Sequence, residues 1–181
     1  MPHKFRTITP RRTCTVKKTD YKKYKDDLAA DFNNRCGYTD CADYWFGGKR
    51  NFQIDHLKPH SIYPDKKSEY SNLVYCCSYV NRAKSNDDSP NYLDPCDVDY
   101  NAHFRRDKDG VIYGVTPEAR YMVSKMHLSL KRYAIIWHLE RIEERITLLR
   151  AKAESKPEIK ADMCSILLDY YDYTRKLRCE L

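Results

Sequence analysis

Asp55 and His56 are adjacent in the chain, and Asn72, Asn81 and Lys84 follow downstream. Together these side chains could hydrolyse a phosphodiester. That reaction needs a base to activate water, positive charge to stabilise the leaving oxygen, and a group to hold the phosphate. An imidazole serves as base near neutral pH. Carboxylate and amide oxygens are hard donors, suited to Mg²⁺ or Mn²⁺ rather than Zn²⁺, and a lysine meets a phosphate as a point charge. Taken singly, an Asp-His pair on a strand is more often structural, an Asn a cap, and a Lys a solvated charge. The order and spacing of all five carry the argument.

The elements that must position them can be read around them. Asn51 to His56 is predicted as a strand that ends before Pro59. Successive strand side chains point to opposite faces, so a bend or bulge at the strand end would be needed to bring Asp55 and His56 into one pocket. The aromatic run Tyr44-Trp45-Phe46 is the candidate partner strand, with Gly47-Gly48 as the turn. A loop over 57–71 contains Pro59 and Pro64. Asn72 to Tyr75 then enters a short helix from about Cys76 to Lys84, on which Asn81 and Lys84, three apart, share a face.

Three stretches in this order, Ile54-Asp55-His56-Leu57-Lys58-Pro59, Ser71-Asn72-Leu73-Val74-Tyr75-Cys76-Cys77 and Val80-Asn81-Arg82-Ala83-Lys84-Ser85-Asn86, resemble the HNH endonuclease motif. The resemblance covers under a third of the chain. It implies a ββα-metal fold with His56 as general base and Asp55 and Asn81 on one divalent cation, Mg²⁺ or Mn²⁺. Asn72 would fix the His56 imidazole through a backbone or side-chain hydrogen bond, and Lys84 would contact the scissile phosphate. His60 is read as a loop or surface histidine, with substrate binding as the alternative.

Many HNH domains also hold a structural Zn²⁺ on two Cys-x-x-Cys pairs, and here the chain departs from the pattern. Cys36 and Cys77 match two of those positions, but Thr39 and Val80 occupy the other two. Cys41 follows Cys36 at an allowed ligand spacing, and Cys96 lies further on. The readings are a rearranged zinc site of Cys36, Cys41, Cys77 and Cys96, or buried free thiols in place of a lost zinc. The segments Leu93-Asp94-Pro95-Cys96 and Tyr100-Asn101-Ala102-His103-Phe104 are similar to an extension in small bacterial HNH proteins, some of them tied to antiphage defence beside an SMC-like ATPase. His103 is read as a packed loop histidine.

The rest of the chain sets the context. Residues 1–18 carry six basic side chains and no acid, and the formal net charge is +7. That balance suits a polyanionic partner but equally suits simple solubility. Thr19-Asp20 can cap a helix over 20–33, with Tyr21, Tyr24, Leu28 and Phe32 on one face. Val111-Ile112-Tyr113 is a short strand candidate. Thr116 and Pro117 open a long helix running to about Lys152, and Pro157 opens another to about Arg178, the two forming an antiparallel hairpin. No apolar run is long enough to cross a membrane. With no secretory leader, the cysteines are expected to be reduced and the protein cytoplasmic.

The sequence therefore predicts an α+β fold: a ββα-metal HNH core with an N-terminal helix and a C-terminal helical hairpin. A basic arm over 1–18, a nuclease domain over 19–115 and a packing or partner-binding hairpin over 116–181 are the expected divisions. The expected activity is metal-dependent hydrolysis of DNA, duplex foremost. An SMC-like ATPase, another defence subunit or a second copy are the candidate protein partners. A non-catalytic nucleic-acid-binding or adaptor module and an RNA-directed nuclease are the alternatives.

Overall fold

The computed structural model describes residues 2–153 and 159–180. In chain order its elements are β1 (His3–Lys4), α1 (Lys25–Asp31), β2 (Phe52–His56), β3 (Leu73–Cys77), α2 (Ser78–Lys84), α3 (Tyr100–His103), β4 (Phe104–Arg106), β5 (Ile112–Gly114), α4 (Pro117–Lys125), α5 (Lys131–Ala153) and α6 (Ile159–Cys179). Strands β2 and β3 form an antiparallel ribbon, and β1-β4-β5 form a second small antiparallel sheet. The fold is α+β, with the ribbon and α2 making the expected ββα unit.

The expected first helix is present in two parts. The Asp20 carboxylate accepts from the Lys22 N–H at 3.0 Å and caps a 3-10 turn over Tyr21–Tyr24, which leads into α1. Tyr24, Leu28 and Phe32 are buried on one face, as the spacing predicts. Asn33 and Asn34 then take left-handed backbone angles, which Asn tolerates better than most residues, and end the helix.

The partner of β2 differs from expectation. Asp43–Phe46 is a 3-10 turn, terminated by Gly47 at φ 86°, and the strand beside β2 is Leu73–Cys77. The five residues of β3 are all buried, so that run must lie where both faces are covered. The 43–46 turn is fastened to it from outside, where the Tyr75 hydroxyl donates to the Asp43 carboxylate at 2.6 Å. Helix α2 begins only after Cys77, later than predicted.

The N-terminal residues are extended but packed. His3–Lys4 pair with Arg105 and Arg106, Phe5 and Arg6 are buried, and Arg12 donates to the Leu73 carbonyl and to Asp94. The C-terminal part forms the expected hairpin, in which α5 packs against α6. The predicted long helix from Thr116 is broken, however. Helix α4 ends at Lys125, His127 takes φ 52°, and α5 starts at Lys131. Periodicity continues through the break because Met122, Met126, Leu128 and Tyr133 all point into the same core. Pro157 lies outside the described residues. Among the described residues, no helix is long and apolar enough to cross a membrane.

Candidate functional site

Strand β2 meets helix α2 in two successive rungs. Gln53 and Asp55 lie two apart, so they project from the same face of the strand. The Asn81 amide donates to Gln53 Oε1 at 2.7 Å, and Lys84 Nζ stands 3.3 Å from Asp55 Oδ1. The second rung is fully enclosed, with Lys84 at 0% and Asp55 at 3% exposure. The Tyr38 hydroxyl donates to the other Asp55 oxygen at 2.6 Å. Burial raises the Asp55 carboxyl above the usual range, and Lys84 and Tyr38 oppose that rise. Lys84 Nζ also donates to the His56 carbonyl at 2.7 Å and lies over the Tyr92 ring. A phosphate cannot reach Lys84 in this arrangement. The lysine is the counterion of Asp55 and a brace for the strand end.

The ladder between β2 and β3 is continuous from Phe52↔Cys77 to His56↔Leu73, so the bulge expected near Asp55 does not occur. Asp55 turns to α2, and His56 turns to the opposite face. There its Nε2 lies 2.9 Å from the Lys67 carbonyl. A carbonyl only accepts, so Nε2 carries the proton and donates it, and Nδ1 keeps the lone pair. The ring meets Tyr21 edge-on at 4.7 Å between centroids and lies 4.6 Å from His60. Burial lowers the His56 pKa below 6.5, the bond to Lys67 opposes this, and His60, Lys84 and Lys67 add to it. His56 is therefore a neutral imidazole at pH 7, fixed at one nitrogen.

Asn72 acts on the same imidazole at one remove. Its side-chain oxygen accepts from the Lys58 N–H at 2.7 Å, and its amide donates to the carbonyls of Lys58 and Lys66. It thus gathers both ends of the loop whose next carbonyl, that of Lys67, holds His56. The Asn72 side chain thus bears on the ring through the backbone of this loop.

Neither expected metal set is assembled. Both Asp55 oxygens are engaged, by Tyr38 and Lys84, so Asp55 as held here does not fit a divalent cation, while Asn81 bonds Gln53 through its amide nitrogen. Among the described residues no three His, Cys, Asp or Glu side chains gather to hold a metal. Of the four proposed zinc ligands, Cys36 and Cys77 are brought together by a hydrogen bond, whereas Cys41 and Cys96 are engaged elsewhere. Burial alone would raise the Cys36 thiol, but hydrogen bonds with Cys77 and Thr39 bring it down to about 6. The Cys41 thiol is directed at the Thr39 and Tyr133 carbonyls, and burial pushes it up to about 12. Cys96 sits beside Arg12 and Asp94.

The loop that a zinc would pin is instead gripped by two buried arginines. Arg6 donates to the Gly37 carbonyl at 2.6 Å, and Arg106 donates to the Thr39 carbonyl at 2.7 Å. Thr39 and Val80, standing where thiolates would be, are completely buried. Tyr38 lies between the two gripped carbonyls, so the clamp sets the hydroxyl that meets Asp55.

Several of these groups escape sequence reasoning. Gln53 could have been found from its two-residue offset from Asp55. Tyr38, the Lys67 carbonyl and the two arginines have no local signal, because each comes from a distant segment. His103 bonds to Thr116 and takes no part in the site.

Residues 46–90 match the model of a known family, described as HNH endonuclease, over the ribbon, the intervening loop and α2. No characterised protein and no solved structure gives a match to the chain.

Proposed function

Taking the HNH endonuclease match of residues 46–90 as premise, we propose that the chain hydrolyses phosphodiester bonds of nucleic acid with His56 as general base. One observation carries this reading. The neutral imidazole is fixed through Nε2 on a backbone carbonyl, which leaves Nδ1 to take a proton. The water's proton passes to Nδ1 as its oxygen bonds to phosphorus. The bond from phosphorus to the 3′ oxygen breaks, and that oxygen gains a proton from solvent. The products are a 5′ phosphate and a 3′ hydroxyl.

Asn72 positions the base through the 58–67 loop, and Lys84 holds the strand end that carries it. HNH nucleases typically use a divalent cation, but with Asp55 engaged no step is assigned to one. Duplex DNA is the proposed substrate. The wider resemblance adds a genome-defence setting in the cytoplasm. Leu148, Leu168 and Tyr171 are exposed on the helical hairpin and offer a surface for an ATPase subunit or a second copy.

The engagement of Asp55 by Lys84 favours one other reading, a module that binds nucleic acid without cutting it. The test is to incubate wild type and His56→Ala with supercoiled plasmid, single-stranded DNA and RNA, with Mg²⁺ or Mn²⁺. Nicking by wild type that disappears in the variant supports the assignment. Nicking that survives in the variant refutes it, and binding without cutting by wild type favours the module.

A further inference from the structure

Among the described residues, strand β2 pairs on one edge only, with β3. Along its other edge runs an open cleft of about 440 Å³, lined by Tyr21, Lys22, Lys25, Gln53, Ile54 and Asn81, with Phe52 at its end. The cleft reaches the base, because Tyr21 packs on the His56 ring. Its lining is cationic and amide-bearing, and it contains no carboxylate. Four other cavities of similar size each include Asp or Glu side chains. The nearest acid on the helix, Asp26, is joined to Lys49.

We propose that this cleft seats the phosphodiester backbone of the substrate, with Lys22 and Lys25 as its phosphate contacts and Gln53 and Asn81 as neutral hydrogen-bonding partners. The proposal rests on the nuclease reading, and its two phosphate contacts lie outside the 46–90 match. Lys22 and Lys25 are three apart on the first turns of the α1 region and so share a face. Lys22 is exposed, and Lys25 is held at the rim by donating to the Phe52 carbonyl. That bond caps an acceptor of the free β2 edge and fixes one of the two charges beside the strand. Burial lowers the Lys25 pKa, Cys76 opposes this and Lys49 adds to it. This assignment gives the site the phosphate contact that the enclosed Lys84 cannot provide.

The test is equilibrium binding of labelled duplex DNA, single-stranded DNA and RNA of one sequence to the full chain across a range of salt. Wild type is compared with Lys22→Gln, Lys25→Gln and a distant control, Lys108→Gln. Each cleft variant should weaken binding several-fold and reduce the slope of log K against log salt by about 0.9 on duplex, or about 0.7 on a single strand. The polymer with the tightest wild-type binding identifies the substrate. Thermal melting checks that the variants fold, and Lys22→Gln, whose lysine makes no side-chain bond to the β2 edge, is the decisive one. An unchanged slope in Lys22→Gln, with His56-dependent cutting intact, overturns the cleft and leaves the nuclease reading standing. A wild type that binds none of the polymers overturns both.

Discussion

The sharpest consequence of the Asp55–Lys84 rung concerns Lys84→Met. Methionine keeps most of the packing over Tyr92 but removes the ammonium. Asp55 is then left in a buried site with Tyr38 as its remaining partner, and the His56 carbonyl loses a donor. Breaking an enclosed ion pair from one side costs about 3–5 kcal/mol, since the other charge stays desolvated. For a chain of this length that corresponds to a fall in Tm of roughly 6–20 °C. The pH dependence has a definite sign. Asp55 has a raised carboxyl pKa in the fold, so its contribution is most favourable at low pH and is lost as pH rises through that raised value. Removing Lys84 takes away a group that lowers it. The stability deficit of Lys84→Met relative to wild type should therefore shrink as pH falls. In Asp55→Asn/Lys84→Met the buried charge is gone, and much of the stability should return as a coupling in the double-mutant cycle. Thermal and urea melts at several pH values measure all three. Nucleic-acid affinity should change little in Lys84→Met. An unchanged Tm with a large loss of affinity would refute the enclosed pair and return Lys84 to the phosphate.

Two further outcomes follow from the same geometry. The acid limb of kcat/KM should fall below pH 6.5, because the depressed His56 pKa keeps Nδ1 unprotonated to lower pH, and His60→Gln should move the limb upward by removing a neighbour that holds the His56 pKa down; a limb above pH 7 would contradict the burial of the base. A zinc chelator should leave the Tm of the full chain unchanged, whereas Arg106→Met should cost about 3 kcal/mol or more by freeing the Thr39 carbonyl and emptying the clamp; one equivalent of zinc released on unfolding would show that a metal, not the arginines, holds the loop.

The ββα unit was legible in the sequence because its signals are local. An Asp-His pair before a proline, an Asn ahead of an apolar run and an Asn three residues before a Lys each mark a short element. The partner of β2 is not legible locally, because Tyr44-Trp45-Phe46 and Leu73–Cys77 are both short apolar runs, and only burial on both faces separates them. Asp43 took the first run out of the ladder through Tyr75, a contact between distant segments. The break between α4 and α5 was hidden for a related reason, since core residues continue across His127 in the helical period.

The site residues divide along the same line. Residue type alone cannot say whether an Asp, an Asn and a Lys in register converge on a ligand or on one another. In an open pocket Asp55 and Asn81 would be a cation pair and Lys84 a phosphate contact. Tyr38, brought in by a loop that Arg6 and Arg106 grip from the far side, closes the pocket around Asp55 and makes the Asp-Lys pair internal. The lysines that line the cleft beside β2 are instead Lys22 and Lys25, from the 3-10 turn and α1. The Asp-His pair thus splits by the pleat of its strand: Asp55 faces α2 and ties down the scaffold, and His56 lies on the opposite face, buried against Tyr21 and His60, with one nitrogen anchored and one left for chemistry.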